Sequence, residues 1–464
     1  MIKKENIIQH LSTLPSFIYP DNNQNILTKV EKLKVDLEKT SQKPLKIILA
    51  ENEPISFISS FLAAVSCGYS VFLANPNWGE KEWKEVLELV QPDIILKNNI
   101  VQKYINTNSS LKPANLAIKN SIMIPTGGSS GNIRFAIHTW ETLMASVEGF
   151  REYFGVDVVN SYCVLPLYHV SGLMQFLRCF ASGGNLTIFA FKELENHLIN
   201  PENYFISLVP TQLQRLLQKP HLKSWLSKFS TVLLGGAPAW NKLLETAKNE
   251  QIPVSLTYGM TETASQIVTL KPNDFLAGNI SCGKVLPHGK VKIMNDKGET
   301  LPANHIGNII IQAESLFWGY YPLEIEAKKH FKSDDLGYFD ENGYLYVVGR
   351  SSDKIISGGE NIFPTEIEAA ILATQAVKDV CVIGIADQNW GQVVTAVYVP
   401  NSQISVEELQ TALVGKLSKY KLPKYWMPVE VLPRNSQGKI NRQEVLEISR
   451  QWLKISSSIN SLKT

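Results

Sequence analysis

Apolar runs of strand length alternate with amphipathic segments early in the chain, and this alternation limits the fold more than any other feature. The strand-like runs read "LKIILAE", "SVFLANP" and "DIILK", and the helix-like segments "FISSFLAAVSCG" and "EKEWKEVLELVQP" separate them. Strands that alternate with helices typically form a sheet with helices on its faces. The same alternation returns between residues 185 and 236. The sequence therefore predicts an α/β fold with more than one sheet.

The pattern changes near Cys282. Runs such as "GKVKIMNDKGETL", "IGNIIIQ" and "GYLYVVGR" are joined by Asn, Asp and Gly turns, which favours an antiparallel, β-rich subdomain. A Ser-rich junction follows Arg350, and beyond it strands and helices mix over about 110 residues, an ordinary size for a small domain. We predict a large multi-sheet N-terminal domain, residues 1–350, and a small α+β C-terminal domain, residues 351–464, with the boundary at Gly349–Asp353.

Composition and charge narrow the class of protein. The 464 residues are 44% hydrophobic, more than one ordinary domain needs for its core. Lysine and arginine number 45 against 43 aspartate and glutamate, a formal charge of +2. Nucleic-acid-binding proteins usually carry a strong basic excess, so we expect no nucleic-acid partner.

Cysteine usage and apolar runs point to a protein of the cytoplasm. The five cysteines are scattered without a C-x-x-C pair, which argues against a disulfide framework or a zinc site. No secretory signal pattern follows the first lysines. The apolar stretch from Ile55 to Ala74 is interrupted by Ser, Gly and Cys, so we predict a buried helix and a strand and no integral membrane segment.

A Gly- and Ser-rich loop joins two predicted strands, "SIMIP" and "IRFAIH", and a helix capped by Thr139 begins only after the second. Asn132 follows the last glycine, where a Walker A loop needs Lys, and a dinucleotide fingerprint needs a helix directly behind the loop. Glycines let an anion approach the backbone, and N–H and hydroxyl groups donate to it. Alone, the loop fits phosphate binding and a hairpin turn equally well. It consists of Thr126, Gly127, Gly128, Ser129, Ser130 and Gly131.

Six further motifs follow the loop in order. They read "LPLYHVSGL" (165–173), "LLGGAPAW" (233–240), "YGMTETASQIV" (258–268), "SDDLGYFDENGYLYVVGR" (333–350), "KIISGGENIFPTEIE" (354–368) and "PRNSQGKINR" (433–442). In this order they strongly resemble the core motifs of the adenylate-forming superfamily of acyl-CoA synthetases, peptide-synthetase adenylation domains and luciferases. The resemblance covers nearly the whole chain, and the ordered set is far more specific than any single motif.

The resemblance implies a two-step reaction that uses ATP, Mg²⁺ and coenzyme A. A carboxylate attacks the α-phosphorus of ATP, pyrophosphate leaves, and a thiolate then displaces AMP from the acyl-adenylate. Because the first step brings two anions together, cations and hydrogen-bond donors must offset their repulsion.

The resemblance also assigns roles to residues. The implied catalytic residues are Lys439 at the α-phosphate and the attacking carboxylate, Glu262 as the Mg²⁺ ligand, Thr261 beside a phosphate, and His169 lining the acyl pocket. The implied nucleotide-binding residues are the loop 126–131 with Arg134 at the phosphates, Gly235, Gly236, Ala237 and Tyr258 around adenine, Asp335 at the ribose, and Arg350 at ribose or phosphate. The structural alternatives are a helix N-terminal acid for Glu262, core positions for Tyr258 and His169, a turn for Asp335, a surface salt bridge for Arg350 and a solvated lysine for Lys439.

In the superfamily that the chain resembles, a mobile C-terminal domain rotates, so that one site can serve both half-reactions. Lys439 would face the site for adenylation, and Gly358 and Gly359 would lie along the pantetheine arm of CoA for thioester formation. The hinge would lie at Ser352, beside Asp353. Ser352 stands where Asp or Lys is frequent, and Asn132 and Arg134 stand where many relatives have lysines, so hinge energetics and pyrophosphate handling are expected to differ.

Within the superfamily the chain most resembles the o-succinylbenzoate–CoA ligases of menaquinone and phylloquinone synthesis. The compact length, "YGMTETASQIVTL" and "PTGGSSGNIRFAIHTW" carry this resemblance, and the last resembles cyanobacterial members. The implied acid has a second carboxylate on its aromatic ring, which needs a donor or cation. Arg178, nine residues after His169, is the candidate, with Ser265 or Gln266.

Other functions stay open at this point. The chain also fits another aryl- or acyl-CoA ligase, or an adenylation enzyme that loads a carrier protein in trans. An interpretation of a different class is a catalytically silent nucleotide-binding protein, against which the retention of Glu262 and Lys439 argues. The expected partners are small molecules, namely a carboxylic acid, ATP and CoA, and self-association into a homo-oligomer is left open.

Overall fold

The computed structural model describes residues 2–15, 17–19, 23–40, 45–98, 100–104, 120–127, 133–322, 330–401, 404–434 and 440–461. Within these ranges the chain forms four sheets, which we call I to IV. Sheet II is largely parallel, sheet I has a parallel centre with antiparallel pairs at both edges, and helices connect their strands, which confirms the predicted α/β class.

Sheet I carries the predicted phosphate loop. Its strand order is β17-β7-β6-β3-β2-β4-β5. The strands are β2 (Lys46–Leu49), β3 (Ser70–Leu73), β4 (Ile94–Lys97), β5 (Ile100–Lys103), β6 (Ser121–Gly127), β7 (Ile133–Thr139) and β17 (Tyr320–Tyr321). Since β17 pairs with β7, residues near 320 return to the phosphate-loop hairpin.

Sheet II carries the adenine and magnesium motifs. Its strand order is β1-β9-β8-β10-β11-β12-β13-β14. The strands are β1 (Ile18–Tyr19), β8 (Asn160–Cys163), β9 (Leu186–Ile188), β10 (Tyr204–Leu208), β11 (Thr231–Leu234), β12 (Val254–Met260), β13 (Ser265–Thr269) and β14 (Lys284–Val285). The sheet turns antiparallel at β12–β13, so the chain reverses at the motif "TET".

Sheets III and IV are mostly antiparallel. Sheet III contains β15 (Gly289–Met294), β16 (Gly307–Ala313), β18 (Phe331–Phe339) and β19 (Leu345–Arg350). Its antiparallel ladder confirms the change of pattern predicted after Cys282. Sheet IV contains β20 (Ile355–Ser357), β21 (Glu360–Ile362), β22 (Val377–Asp387), β23 (Gly391–Pro400) and β24 (Tyr425–Pro428).

The helices cover the sheets, and their ends follow local signals. Thr139 caps α5 as predicted, and α11 begins at Pro364, where a missing N–H costs nothing. The α-helices are α1 (Ile7–Thr13), α2 (Asn23–Thr40), α3 (Pro54–Ser66), α4 (Glu80–Val90), α5 (Trp140–Phe154), α6 (Val170–Ser182), α7 (Pro210–Leu217), α8 (Pro220–Leu226), α9 (Asn241–Asn249), α10 (Pro272–Leu276), α11 (Pro364–Leu372), α12 (Val406–Leu413) and α13 (Arg442–Ser461).

Two sequence interpretations can be compared directly with the helices. The apolar stretch from residue 55 forms buried α3 and then strand β3, as predicted. The sequence also favours a helix over "SVEELQTALVGKLSK" (405–419), and α12 is shorter than this segment, because it ends at Leu413 and a turn with Gly415 at positive φ follows. In the part of the chain that the structure describes, no helix has the length and apolarity that crossing a membrane requires.

The segment between sheets III and IV is anchored on both sides by acidic residues. The backbone N–H of Ser352 donates to Asp334 Oδ1 at 3.2 Å, and its hydroxyl donates to the other carboxylate oxygen. Asp353, the next residue, accepts Arg442 Nε at 3.3 Å. Arg442 also donates to Glu368 at 2.7 Å and to the Val382 carbonyl at 2.7 Å. Arg442 therefore ties the predicted hinge to the core of sheet IV.

We predict that Arg442→Met lowers the free energy of unfolding by about 2 kcal/mol, because it leaves the Glu368 carboxylate poorly paired. The value is below that of a fully buried pair, since 27% of the Arg442 side chain is exposed. Urea unfolding of the wild-type protein and of Arg442→Met measures this difference in the free energy of unfolding. The double variant Glu368→Met, Arg442→Met is expected to recover part of the loss, and a further drop in the double variant would contradict this account.

Candidate active site

The two strands that flank the predicted phosphate loop in the sequence pair with each other. Strands β6 and β7 pair antiparallel, with Thr126 opposite Arg134 and Gly127 opposite Ile133. This confirms the predicted strand–loop–strand arrangement. Gly128, Ser129, Ser130, Gly131 and Asn132 lie outside the described residues.

A tight turn after β12 holds Glu262. Thr261–Thr263 form a single 3₁₀ turn, and the chain leaves it through Ala264 at φ 50° and Ser265 at φ 89°. Left-handed conformations are unfavourable for residues with a side chain and persist where surrounding contacts fix them. The hydroxyl of Ser146, on α5, supplies one such contact by donating to the Ala264 carbonyl at 2.7 Å.

The Glu262 carboxylate is nearly buried, with 8% of the residue exposed. The hydroxyl of Tyr320 donates to its Oε1, and the Phe317 N–H donates to the Glu262 carbonyl at 2.9 Å. Burial and the nearby carboxylate raise the pKa of Tyr320, so the phenol keeps its proton and acts as a donor. Among the described residues no hydrogen bond reaches Oε2, and a carboxylate with one oxygen held and one available fits a hard cation such as Mg²⁺.

Arg134 lies against this pair instead of forming an ion pair with an acid among the described residues. Its guanidinium carbon is 4.5 Å from the centre of the Tyr320 ring, a cation–π distance. Because Arg134 and Tyr320 come from the paired strands β7 and β17, the phosphate-loop hairpin places a cation over the ring of the tyrosine that donates to Glu262.

His138 fixes the neighbouring residue of the turn. It is fully buried, its Nε2 lies 2.7 Å from the Thr261 carbonyl, and its Nδ1 lies 3.0 Å from Thr142 Oγ1. Burial lowers its pKa from 6.5 to about 4, so the ring is neutral at pH 7. A carbonyl only accepts, so Nε2 carries the proton. His138 therefore connects the hairpin to the backbone of Thr261.

The predicted adenine and ribose residues also come together. The Tyr258 hydroxyl donates to Asp335 Oδ2 at 2.9 Å, and Arg350 Nε lies 3.4 Å from Asp335 Oδ1. Asp335 and Arg350 are register partners in β18 and β19, so Asp335 lies in a strand instead of the turn of the structural alternative. Burial raises the pKa of Tyr258, and the Asp335 charge raises it further.

The remaining predicted residues lie at element ends. Gly235, Gly236 and Ala237 follow β11 immediately, and His169 is the N-cap residue of α6, with its ring 4.6 Å from that of Tyr168. Gly358 and Gly359 form the turn between β20 and β21 at φ 58° and 88°. Lys439 lies outside the described residues, between Arg434 and Ile440, which pair as an isolated bridge.

Sequence reasoning missed three residues of this site. Tyr320, His138 and Asp334 contact the predicted residues Glu262, Thr261 and Ser352. His138 gave a weak signal, because it lies on the same face of its strand as Arg134, a predicted site residue. Tyr320 and Asp334 gave none, since their partners lie 58 and 18 residues away.

The chain matches two family models. Residues 109–321 match the AMP-binding enzyme model, and residues 366–439 match the model of the AMP-binding enzyme C-terminal domain. The 2-succinylbenzoate–CoA ligase of Listeria monocytogenes serovar 1/2a is 38% identical over 331 residues, which cover 69% of this chain and 68% of the relative. The chain belongs to the AMP-binding enzyme family.

Solved structures agree over nearly the full length of this AMP-binding enzyme. The o-succinylbenzoate CoA synthetase of Bacillus subtilis, in complex with its acyl-adenylate intermediate, is 25% identical with a TM-score of 0.81 and covers 96% of this chain and 98% of its own. The same Bacillus subtilis synthetase with ATP and magnesium ion gives 25% and 0.81 and covers 95% and 98%. The predicted membership of the adenylate-forming superfamily is thereby confirmed.

We predict that Tyr320→Phe in this AMP-binding enzyme slows ATP–pyrophosphate exchange roughly 10-fold or more, because a hydrogen bond to a charged carboxylate is lost. The Mg²⁺ concentration for half-maximal rate should rise. Tyr321→Phe is the matched control, since no described residue hydrogen-bonds the buried Tyr321 hydroxyl. Equal exchange rates in the two variants would contradict a role for Tyr320.

The buried His138 predicts a dependence of stability on pH. The unfolded chain takes up a proton near pH 6.5 and the folded chain only near pH 4, so stability present above pH 6.5 is lost as the pH falls towards 4. His138→Gln should remove up to about 3 kcal/mol of that change. Urea midpoints between pH 7.5 and 4.5 measure it, with exposed His305→Gln as the control. An unchanged pH slope in His138→Gln would refute the assignment.

Proposed function

We propose that this AMP-binding enzyme is an acid–CoA ligase that joins o-succinylbenzoate to coenzyme A through an acyl-adenylate, with ATP and Mg²⁺. The observation that carries the proposal is that hydrogen bonds connect sheets I, II and III at residues 258–266. Tyr258 bonds Asp335 of sheet III, and Glu262 and Thr261 accept from Tyr320 and His138 of sheet I. These contacts support the proposal, because they connect the elements that carry the residues predicted for phosphate, magnesium and ribose.

The first half-reaction follows from this arrangement. A carboxylate oxygen of the acid attacks the α-phosphorus, and the bond from phosphorus to the pyrophosphate oxygen breaks. We assign Glu262 to hold Mg²⁺, which when bound offsets the charge of the phosphates. Thr261, Arg134 and the loop 126–131 are assigned to the phosphates, and Lys439 to the α-phosphate and the attacking oxygen. These donors act where negative charge concentrates.

The nucleoside and the acid have their own assignments. Asp335 is assigned to the ribose hydroxyls, with Arg350 beside it, and Tyr258 with Gly235, Gly236 and Ala237 to adenine. The Tyr258 hydroxyl helps to fix the Asp335 carboxylate, which prepares that acceptor before the nucleotide binds. His169, at the start of α6, is assigned to the acyl pocket.

The second half-reaction requires the thiolate of CoA to attack the acyl carbon while AMP leaves. We assign Gly358 and Gly359 to the pantetheine arm, because a turn with two positive φ values and no side chains lets a ligand lie along the backbone. We further propose that residues 351–464 form the mobile domain, with Ser352 as its hinge. Its hydroxyl bond to Asp334 then stabilises one arrangement of the domains.

The pathway and the location follow from the substrates. We propose that the thioester enters quinone biosynthesis, with menaquinone or phylloquinone as end product. We also propose a cytoplasmic location, because the enzyme consumes ATP and CoA together.

The decisive experiment measures AMP and CoA-thioester formation with ATP, Mg²⁺, CoA and o-succinylbenzoate, beside benzoate, a fatty acid and no acid. Thioester with o-succinylbenzoate alone is the expected result. AMP with a different acid would keep the ligase chemistry and replace the substrate. Absence of AMP and of ATP–pyrophosphate exchange with every acid would favour a silent nucleotide-binding protein.

A half-reaction test addresses Lys439. Lys439→Ala should slow adenylation about 100-fold or more, the effect of removing one donor at developing charge. Thioester formation from supplied acyl-adenylate should change far less. The exposed Lys416→Ala in the same proposed domain is the control. An equal loss in both half-reactions would contradict a role confined to adenylation.

A further inference from the structure

Glu85 of helix α4 holds the strand residue with which β7 begins, directly after the predicted phosphate loop. Its Oε1 accepts the backbone N–H of Ile133 at 3.0 Å, and 48 positions of sequence separate the two residues. Ile133 is the first residue of β7 and lies opposite Gly127, the last residue of β6. Hydrogen bonds to a carboxylate are stronger than those between neutral groups, so this contact firmly connects α4 to the start of β7.

The position of this contact follows from the strand pairing of sheet I. Ile137 donates its N–H to the Gly319 carbonyl at 2.9 Å, on the side of β7 that faces β17. The N–H groups of alternate residues in a strand point to the same side, so the N–H of Ile133 also points there. Strand β17 ends at Tyr321, before it reaches Ile133. The Glu85 carboxylate therefore supplies the acceptor that β17 does not provide at this point.

Helix α4 and the Arg134 side chain lie on opposite faces of sheet I. Val86 of α4 packs in the same buried cluster as Phe135 and Ile137 of β7. Because adjacent side chains of a strand point to opposite faces, Arg134 faces away from α4. Glu85 therefore fixes the backbone next to Arg134 from the far face of the sheet. The positive charge of Arg134 is not neutralised by Glu85, since no ion pair joins these two described residues.

Arg134 is the cation that this anchored strand presents to the proposed reaction centre. Its guanidinium carbon lies 4.5 Å from the centre of the Tyr320 ring, and the Tyr320 hydroxyl donates to Glu262. Arg134 Nε is buried and has no hydrogen-bond partner among the described residues, so this donor is available to an anion. The planar guanidinium binds phosphate best in a defined orientation, which makes the backbone position of Arg134 important.

We propose that Glu85 is a positioning residue for adenylation, which fixes the start of β7 so that Arg134 meets the phosphates of ATP. This inference rests on the proposed function, which assigns Arg134 to those phosphates. Glu85 acts through the N–H of Ile133 and does not contact the substrate itself. A displaced donor loses both distance and direction to its anion, so a small shift of this strand slows the reaction markedly.

Three substitutions of Glu85 separate the reach of the side chain from its charge. Glu85→Ala removes both, Glu85→Asp keeps the charge on a side chain one methylene shorter, and Glu85→Gln keeps the reach and an acceptor oxygen. We expect Ala and Asp to lower kcat/KM for ATP in ATP–pyrophosphate exchange about 10-fold, and Gln to stay within about 3-fold of wild type. Glu88→Ala is the matched control, since the Glu88 side chain on the same helix is 58% exposed and lies 4.0 Å from Lys84.

The two half-reactions distinguish positioning from general support of the fold. Pyrophosphate has left before the thioester step, so thioester formation from supplied acyl-adenylate should stay within about 2-fold of wild type in each variant. The KM for pyrophosphate should rise with that for ATP, and the KM for the acid should not. An equal loss in both half-reactions would overturn the inference. So would a normal rate for Glu85→Asp beside a slow Glu85→Gln, because charge and not reach would then matter.

A double variant tests whether Glu85 acts through Arg134. Arg134→Met alone should slow exchange, because it removes the cation. Glu85→Ala added to Arg134→Met should slow exchange by less than about a further 3-fold, since residues that act through one another are not additive. The full loss of the single Glu85→Ala variant in the Arg134→Met background would show that Glu85 acts elsewhere, which contradicts the inference.

Binding measurements separate this inference from the proposed function. If the wild-type enzyme gives no exchange with any acid, the proposed ligase activity fails, and the Kd for ATP with Mg²⁺, measured by titration calorimetry, decides the inference. A Kd about 10-fold weaker in Glu85→Ala and Glu85→Asp, with Glu85→Gln near wild type, would support it. Equal Kd values would refute it, and a wild-type protein that binds no ATP would refute both. If Glu85→Ala does not fold, Glu85→Asp and Glu85→Gln give the same comparison.

Discussion

The turn that carries Glu262 depends on hydrogen bonds from elements distant in the chain. His138 of β7 donates to the carbonyl of Thr261, the first residue of the turn. Ser146 of α5 donates to the carbonyl of Ala264, and Tyr320 of β17 donates to the Glu262 carboxylate. Left-handed conformations at Ala264 and Ser265 cost roughly 1 kcal/mol or more each, and these contacts, together with the hydrogen bonds of the Thr263 hydroxyl to Met260 and Ser265, offset that cost. A metal-binding carboxylate needs this kind of support, because its oxygens must be in place before the substrate arrives.

The charged groups around this turn fall into three different environments. The Glu262 carboxylate is shielded by a neutral phenol, which leaves its charge available for a cation. The Asp335 carboxylate contacts two partners, the buried Tyr258 and the exposed Arg350. The Arg178 guanidinium has polar neighbours and an aromatic face but no described acid. The difference fits three ligands, since metal, ribose and carboxylate require an anion, an acceptor and a cation respectively.

Side-chain contacts also hold the segment that leads into sheet IV. Ser352 is bound to Asp334, the neighbour of the proposed ribose ligand, and Asp353 is bound to Arg442, three residues after the proposed catalytic lysine. Breaking the Ser352 contact exchanges one exposed polar pair for water, which costs little. The Arg442 contacts are more buried and involve a second carboxylate, so the segment is expected to swing at Ser352 and stay fixed at Asp353.

The sequence alone determined the α/β class, the change to antiparallel strands after Cys282, the strand–loop–strand form of the phosphate loop and the membership of the superfamily. These follow from periodicity, turn residues and ordered motifs, all of which are local along the chain. It also named Arg178 with Ser265 and Gln266, which the fold brings together. Only the tertiary structure placed Tyr320 on Glu262, His138 on Thr261 and His288 beside Gly149. Such contacts join residues from separate strands, helices and loops, and their register is set by packing between sheets, which no local pattern encodes.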